Sequence, residues 1–227
     1  MERYERYDFD ALADLYSGPD ALMLTDELTK EMRLTPEMKV LDLGCGNALS
    51  SLFLVKEYGC RVYAVDPKSS SANNYEMAKK QGVEDRLIPF CALADRLPFE
   101  KESFDAMICI NAWQAFGQDP AFFKEKIAPL MKKDAQIGIV VPATTKAYAQ
   151  EAGLDERDVL PTFWPVSRWE RFFRDAFAVR TAREMDCAVE AWKRWYRAAS
   201  PAARKDPTAK WDIGREVAIA MIVGTVG

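Results

Sequence analysis

From Val40 onward the apolar residues fall into short runs, separated by longer stretches in which they recur every three or four positions. Such alternation predicts strands and helices in turn, and hence a mostly parallel α/β sheet. The runs place strands at 40–43, 61–65, 87–90, 104–110, 136–141, 177–185 and 216–223, with Pro142 ending the fifth. Helices are expected at 49–58, with Leu49, Leu52, Phe53 and Val55 inward, and at 70–80, capped by Ser69, Ser70 or Ser71 and stopped at Gly82. Further helices are expected at 120–131, at 168–175 behind a Ser167 cap, and in a tryptophan-rich stretch at 189–199. A polar, proline-bearing loop fills 200–210. Ahead of the sheet, Leu24, Leu28 and Met32 mark one face of a helix over 20–34, ended by Pro36. Before that helix lies an apolar segment with Tyr4, Tyr7, Phe9, Leu12, Leu15 and Tyr16.

Composition narrows the chemistry more than the fold. The 227 residues suit one domain with a small cap, and 49% hydrophobic against 29% charged residues is the balance of a globular chain. A net charge of −4 argues against nucleic acid as the main partner. The chain contains no histidine, which excludes Ser-His-Asp and Cys-His nucleophile systems and any His-ligated metal. Five scattered cysteines without a Cys-x-x-Cys pair read as a reduced, cytoplasmic protein. No apolar run approaches the ~20 residues of a membrane span, and the charged start is unlike a signal peptide. Trp192-Lys193-Arg194-Trp195-Tyr196-Arg197 mixes bases and aromatics, but at helical spacing it reads as one buried and one solvated face.

The chemistry concentrates after the first strand, at Asp42-Leu43-Gly44-Cys45-Gly46-Asn47-Ala48. Glycines there let backbone N–H groups approach a ligand, and the next helix adds its unbonded N-terminal donors. A dinucleotide fingerprint would need a third glycine where Leu49 stands. Asp66, about 20 residues beyond the turn and at the end of the second strand, is placed to accept ribose hydroxyls of a nucleoside. A helix-capping role is the alternative for that residue. Further on come Ala94-Asp95-Arg96-Leu97-Pro98-Phe99 and then Phe104-Asp105.

With Asp42, Gly44, Gly46 and Ala48 as acid-x-Gly-x-Gly-x-small, and with Leu-Pro-Phe followed by Phe-Asp, the sequence resembles the class I S-adenosylmethionine-dependent methyltransferases. It is most similar to the small-molecule enzymes that resemble the quinone-biosynthesis methyltransferases. The resemblance implies a Rossmann-like, doubly wound, seven-stranded sheet with the last two strands antiparallel at the edge, and a helical cap from 1–35 and 143–165 over a cofactor core at 38–142. It implies S-adenosylmethionine as cofactor, held by Asp42, Gly44, Cys45, Gly46, Asn47, Asp66, Pro67, Ala94, Asp95 and Asn111. The acceptor is expected to be an aromatic or lipophilic small molecule lined by Tyr16, Trp113, Phe116 and Trp164. Leu93 departs from the pattern, since an acid is usual there. If the acceptor must lose a proton, the base is to be sought among Tyr7, Tyr16, Glu151, Glu184 and Glu190, and no catalytic residue is singled out. A non-catalytic cofactor sensor and an NAD(P)-dependent oxidoreductase are the competing readings. Neither a metal nor a membrane is expected to take part.

Overall fold

The structure is a computed structural model that describes residues 2–152, 163–198 and 211–227. The loop expected at 200–210 lies outside the described residues. The sheet is built on β1 (Lys39–Leu43), flanked by β2 (Arg61–Val65) and β4 (Phe104–Ile110). Beyond β2 lies β3 (Leu87–Phe90), and beyond β4 lie β5 (Met131–Thr144), β7 (Val217–Thr225) and β6 (Ala178–Glu184), giving the order β3-β2-β1-β4-β5-β7-β6. β1 to β5 are parallel, while β7 runs against both β5 and β6. The antiparallel component is thus a strand inserted beside the edge, with β6 outermost. Chain order reverses between β1 and β4, and ligand crevices open at such a switch point, past the carboxyl ends of the strands.

Alternation along the strands separates two cores. One contains Val40, Val62, Ala106 and Val140, with Leu24 and Leu28 of α1 (Ala21–Thr29), Leu52 and Phe53 of α2 (Leu49–Tyr58), and Trp192 and Trp195 of α7 (Ala188–Ala198). The other holds Leu41, Met107, Cys109, Ile137 and Ile139 against Trp113, Trp169 and Phe173. α3 (Ser71–Lys80) is capped by the Ser70 side chain, which accepts from the N–H of Asn73 at 3.2 Å.

Five elements depart from the pattern. α1 is shorter than expected, because the N–H groups of Lys30, Glu31 and Met32 bond only three residues back and unwind it before Pro36. Its residues Leu22 to Thr29 are all buried, since the N-terminal segment crosses its outer face through an Arg3–Asp26 ion pair of 2.8 Å. The helix expected at 120–131 is α-helical only in α4 (Pro120–Phe122). It continues as a π turn (Phe123–Ile127) and a 3-10 turn (Ala128–Leu130), where Pro129 has no N–H to extend the ladder. The short helix α5 (Lys146–Glu151) follows β5, and α6 (Val166–Arg174) starts from Pro165, so Ser167 lies within its first turn and is not the cap. Finally, β5 runs through Pro142. Among the described residues, no helix is long and apolar enough to cross a membrane.

Candidate functional site

A cavity of about 260 Å³ opens at the switch point, walled by the loops after β1, β2 and β4 and by the chain before α1. The loop after β1 forms because Gly44, Gly46 and Ala48 all take positive φ, at 79°, 53° and 60°. Its N–H groups at Gly44 and Cys45 both donate to the Val65 carbonyl, tying the turn to the end of β2. Ala48 is the N-cap of α2 and supplies no side-chain acceptor, and Leu49 and Ser50 at the start of the helix form part of the cavity wall.

Asp66 is half-buried and accepts three backbone N–H groups: Gly46 on Oδ2 at 3.1 Å, and Lys68 and Ser69 on Oδ1, both at 2.8 Å. A carboxylate offers roughly four acceptor sites, so Oδ2 retains an open lone pair. Asp66 therefore braces the glycine loop as well as facing the cavity. Asn111 ends β4 with φ 52°, a left-handed turn that asparagine tolerates. Its N–H donates to Val140 and its carbonyl accepts from Gln114 Nε2.

Asp42 is a support beneath the loop and does not line the cavity. It is fully buried, its Oδ2 accepts both Ser50 and Ser51 hydroxyls at 2.6 Å, and its Oδ1 has no hydrogen-bond partner. Burial pushes its pKa up to about 6 against the pull of the two serines.

Of the residues expected from sequence, Gly44, Cys45, Gly46, Asn47, Asp66, Pro67, Asn111, Tyr16 and Phe116 stand together on the cavity wall. Ala94 and Asp95 do not. They lie in the loop after β3, where Asp95 meets the neighbouring Arg96 at 3.8 Å and Leu93 is 52% exposed. That loop is pinned by Phe99, which makes edge contacts with Phe90, Phe104 and Tyr63. Trp113 and Trp164 correct the expected acceptor lining, because both are core residues. Trp113 is wholly buried among Phe116, Phe122, Phe123 and Phe173, and its Nε1 donates to Gly117. Trp164 packs on Trp169 at 4.3 Å with Arg168 over its ring.

Among the five base candidates only Tyr16 reaches the cavity. Its hydroxyl is buried, with Asp20 as the nearby acceptor, and burial followed by the Asp20 charge drives its pKa upward, so it stays protonated. Tyr7 donates to Glu57, Glu151 pairs with Arg215, Glu184 accepts the Lys146 N–H, and Glu190 pairs with Arg197.

Residues 1–35 were expected as a cap, but which of them line the cavity, and two contacts of the glycine loop, were not legible in the sequence. Leu15, Ser17, Gly18, Pro19 and Ala21 form a strap along one wall of the cavity. Asn47 Nδ2 ties the glycine loop to the strap by donating to the Leu15 carbonyl at 2.9 Å. Buried Asn74 of α3 donates to the Gly46 carbonyl at 2.9 Å from behind. The Gly18-Pro19 pair was the one local signal, and it marks only a break in the chain. None of the described residues of 143–165 lines the cavity, and 153–162 fall outside the description.

Residues 41–139 match the family model described as a methyltransferase domain. An uncharacterized protein of Haemophilus influenzae is 30% identical over 91 residues, covering 40% of this chain and 36% of that protein. A glycine/sarcosine/dimethylglycine N-methyltransferase of Actinopolyspora halophila is 24% identical over 152 residues, covering 63% of this chain and 27% of that enzyme. The chain thus spans about a third or less of these relatives' lengths. Among solved structures, the 4+2 cyclase SpnF superposes with a TM-score of 0.71 at 17% identity, covering 91% of this chain and 82% of that one. The geranyl diphosphate C-methyltransferase of Streptomyces coelicolor A3(2), solved with Mg2+, geranyl diphosphate and S-adenosylhomocysteine, gives 0.64 at 14% identity, with 91% and 76% covered. At such identities the likeness is one of fold, and one neighbour is named for a cyclisation. Residues 41–139 of this chain thus resemble the methyltransferase domain family, and they lie in a Rossmann-like, seven-stranded sheet shared with these solved structures.

Proposed function

We propose that this chain is an S-adenosylmethionine-dependent methyltransferase acting on a small aromatic or lipophilic molecule. The observation that carries the reading is the convergence of the Gly44–Asn47 turn, Asp66 and Asn111 on one cavity at the switch point. Two features of the wall support the reading. A Cβ at Gly44 would stand 2.3 Å from Ala112 Cβ, so the turn is pressed as closely as backbone allows against the β4 loop. Asp66 keeps an open acceptor for a ribose hydroxyl while bracing the turn. Gly44 to Asn47 and the start of α2 would hold the methionine and ribose portions, with Asp66 and Pro67 on the ribose side and Asn111 beside the methionine. When bound, the cofactor supplies a methyl group on a cationic sulfur, for in-line transfer to the acceptor.

The residues of the chain act by position and by excluding water. Leu15, Pro19, Ala21, Leu49, Ile110, Ala112, Ala115 and the rings of Tyr16 and Phe116 make the wall mostly apolar, as in pockets for small lipophilic ligands. Phe116 adds an aromatic face of the kind that attracts cations. The strap, with the rest of 1–35, serves as the cap of a single domain. All five cysteines are free thiols, in keeping with a cytoplasmic protein.

A thermal-shift panel followed by radiolabelled methyl transfer tests the reading. Stabilisation by S-adenosylhomocysteine but not NAD(H), with turnover on some aromatic, amine or thiol acceptor, is the expected result. Stabilisation by NAD(H) alone would sink it.

A further inference from the structure

Arg194 lies on α7 and does not line the cavity, yet it grips the strap from both sides. Its Nε donates to Asp20 Oδ2 at 2.6 Å, and Asp20 is fully buried. Asp20 anchors the end of the strap: its N–H donates to the Ala191 carbonyl at 3.0 Å, and its Oδ1 caps α1 by accepting the N–H groups of Leu22 and Met23. The same guanidinium lies 4.4 Å from the centroid of Phe9 and 5.4 Å from that of Tyr4. Phe9 in turn packs on Tyr16 with ring centroids 4.8 Å apart, and Tyr16 is part of the cavity wall. Between these anchors the strap touches the site directly. Leu15 is bonded to Asn47, a Cβ built at Gly46 would lie 3.5 Å from Ser17 Oγ, and one built at Gly18 would come closer still to Asn111 Nδ2, at 3.2 Å.

We propose that Arg194 is a positioning residue for the cofactor: by holding Asp20 and the Phe9–Tyr16 stack, it keeps the strap closed on the glycine loop and sets how long the cofactor stays. The proposal rests on the methyltransferase reading for the identity of the ligand. The physical basis is that a wall held in place before binding costs less to order, and ligand release waits on the strap lifting. Losing the guanidinium would leave the Asp20 charge buried and uncompensated, and would free both ends of the strap together.

Two other ion pairs join α1 to its surroundings without touching the strap, Arg3–Asp26 and Arg183–Glu27, and the second provides a matched control. The experiment compares Arg194→Gln and Arg183→Gln with the double variant Asp20→Asn/Arg194→Met. That double variant buries no orphaned charge and retains an asparagine to cap α1. S-adenosylhomocysteine dissociation is followed by stopped flow, and amide hydrogen exchange over residues 9–19 is measured without ligand. The expected result is release about tenfold faster in both Arg194 variants and within about twofold of wild type in Arg183→Gln, since such changes appear mostly in the off-rate. Exchange protection over 9–19 should fall only in the Arg194 variants. Equal acceleration in Arg183→Gln, or unchanged release in both Arg194 variants, overturns the proposal. If wild type fails to bind S-adenosylhomocysteine, the methyltransferase reading falls, and exchange over 9–19 still decides whether Arg194 holds the strap.

Discussion

At Gly44 a backbone demand and a packing demand coincide. The residue sits at φ 79°, where a side chain is strained, and an added Cβ would meet Ala112 at 2.3 Å. Gly82 has a similar φ of 66° with nothing within 4 Å, so it isolates the strain from the collision. Gly82→Ala is expected to cost about 1–2 kcal/mol of stability and leave S-adenosylhomocysteine affinity unchanged. Gly44→Ala adds the displacement of the glycine loop, and titration calorimetry should show affinity lower by on the order of tenfold or more. Equal affinities would mean that the loop yields without disturbing the ligand. The loop glycines and Asp66 were marked in the sequence by their place at strand ends and Asn111 by the family resemblance, and the structure sets all of them on one cavity wall. Which residues of the expected 1–35 cap reach the cavity, and the part played by Asn74, were not so marked, because contacts such as Asn47 to Leu15 join residues far apart in sequence with no local pattern of their own. Trp113 and Trp164 misled for a related reason. Trp113 has crevice residues on both sides in sequence and Trp164 lies in the expected second cap piece, but their large rings are satisfied in the core, where Trp113 Nε1 finds the Gly117 carbonyl.

Among the elements, β5 shows how a sequence rule fails for a physical reason. A proline ends a central strand because it cannot donate to the ladder. Pro142, however, pairs with Ile219 of β7, while β4 stops at Ile110 opposite Val140. N–H and C=O groups of one residue point to the same side of an antiparallel pair, and Val140 already directs its carbonyl to the β4 side by accepting from Asn111. Two residues on, Pro142 faces the same way into space that β4 has vacated, so the missing donor costs nothing. Its carbonyl is satisfied there by Trp169 Nε1 of α6 at 3.1 Å. That bond links α6 to the sheet at a buried position, and Trp169 is itself wholly buried. Trp169→Phe is expected to destabilise by about 2–4 kcal/mol, from an orphaned carbonyl and the smaller ring, with cofactor affinity unaffected. Urea denaturation decides it. A loss below about 0.5 kcal/mol would show that the carbonyl finds another donor. Apart from β5, the strands and α2 were legible to within one or two residues, because each carries apolar residues packed into one or both cores. The helices at 20–34 and 120–131 were not, because turns of a different pitch carry the same apolar spacing.

For the whole molecule, buried carboxylates set opposing limits on stability as pH changes. Glu27 and Asp105 lie below their ordinary values. Burial opposes this in both, but Cys187, Asp186 and Arg183 outweigh it at Glu27, and Lys132 and the Lys39 N–H do so at Asp105. A carboxyl lowered by folding contributes stability that is present above the unfolded value and is lost as pH falls through the folded one. Asp42 has the opposite sign. Its pKa rises from 3.8 to about 6, so its contribution is complete below 3.8 and is lost as pH climbs through 6. At neutral pH the ionised group, with Oδ1 unpartnered, costs on the order of 3 kcal/mol. Together these groups place maximal stability on the acid side of neutrality. Taking the protein from pH 7 to pH 5 should recover roughly 1 kcal/mol, raising Tm by about 2–4 °C. Asp42→Asn keeps an oxygen for the Ser50 and Ser51 hydroxyls but cannot ionise, so its Tm should be nearly flat over that range and fall only below about pH 4.5, where Glu27 and Asp105 take up protons. Calorimetric melts of the two proteins across pH 4 to 7 test this, and parallel profiles would show that the buried carboxylate beneath the glycine loop does not set the upper limit.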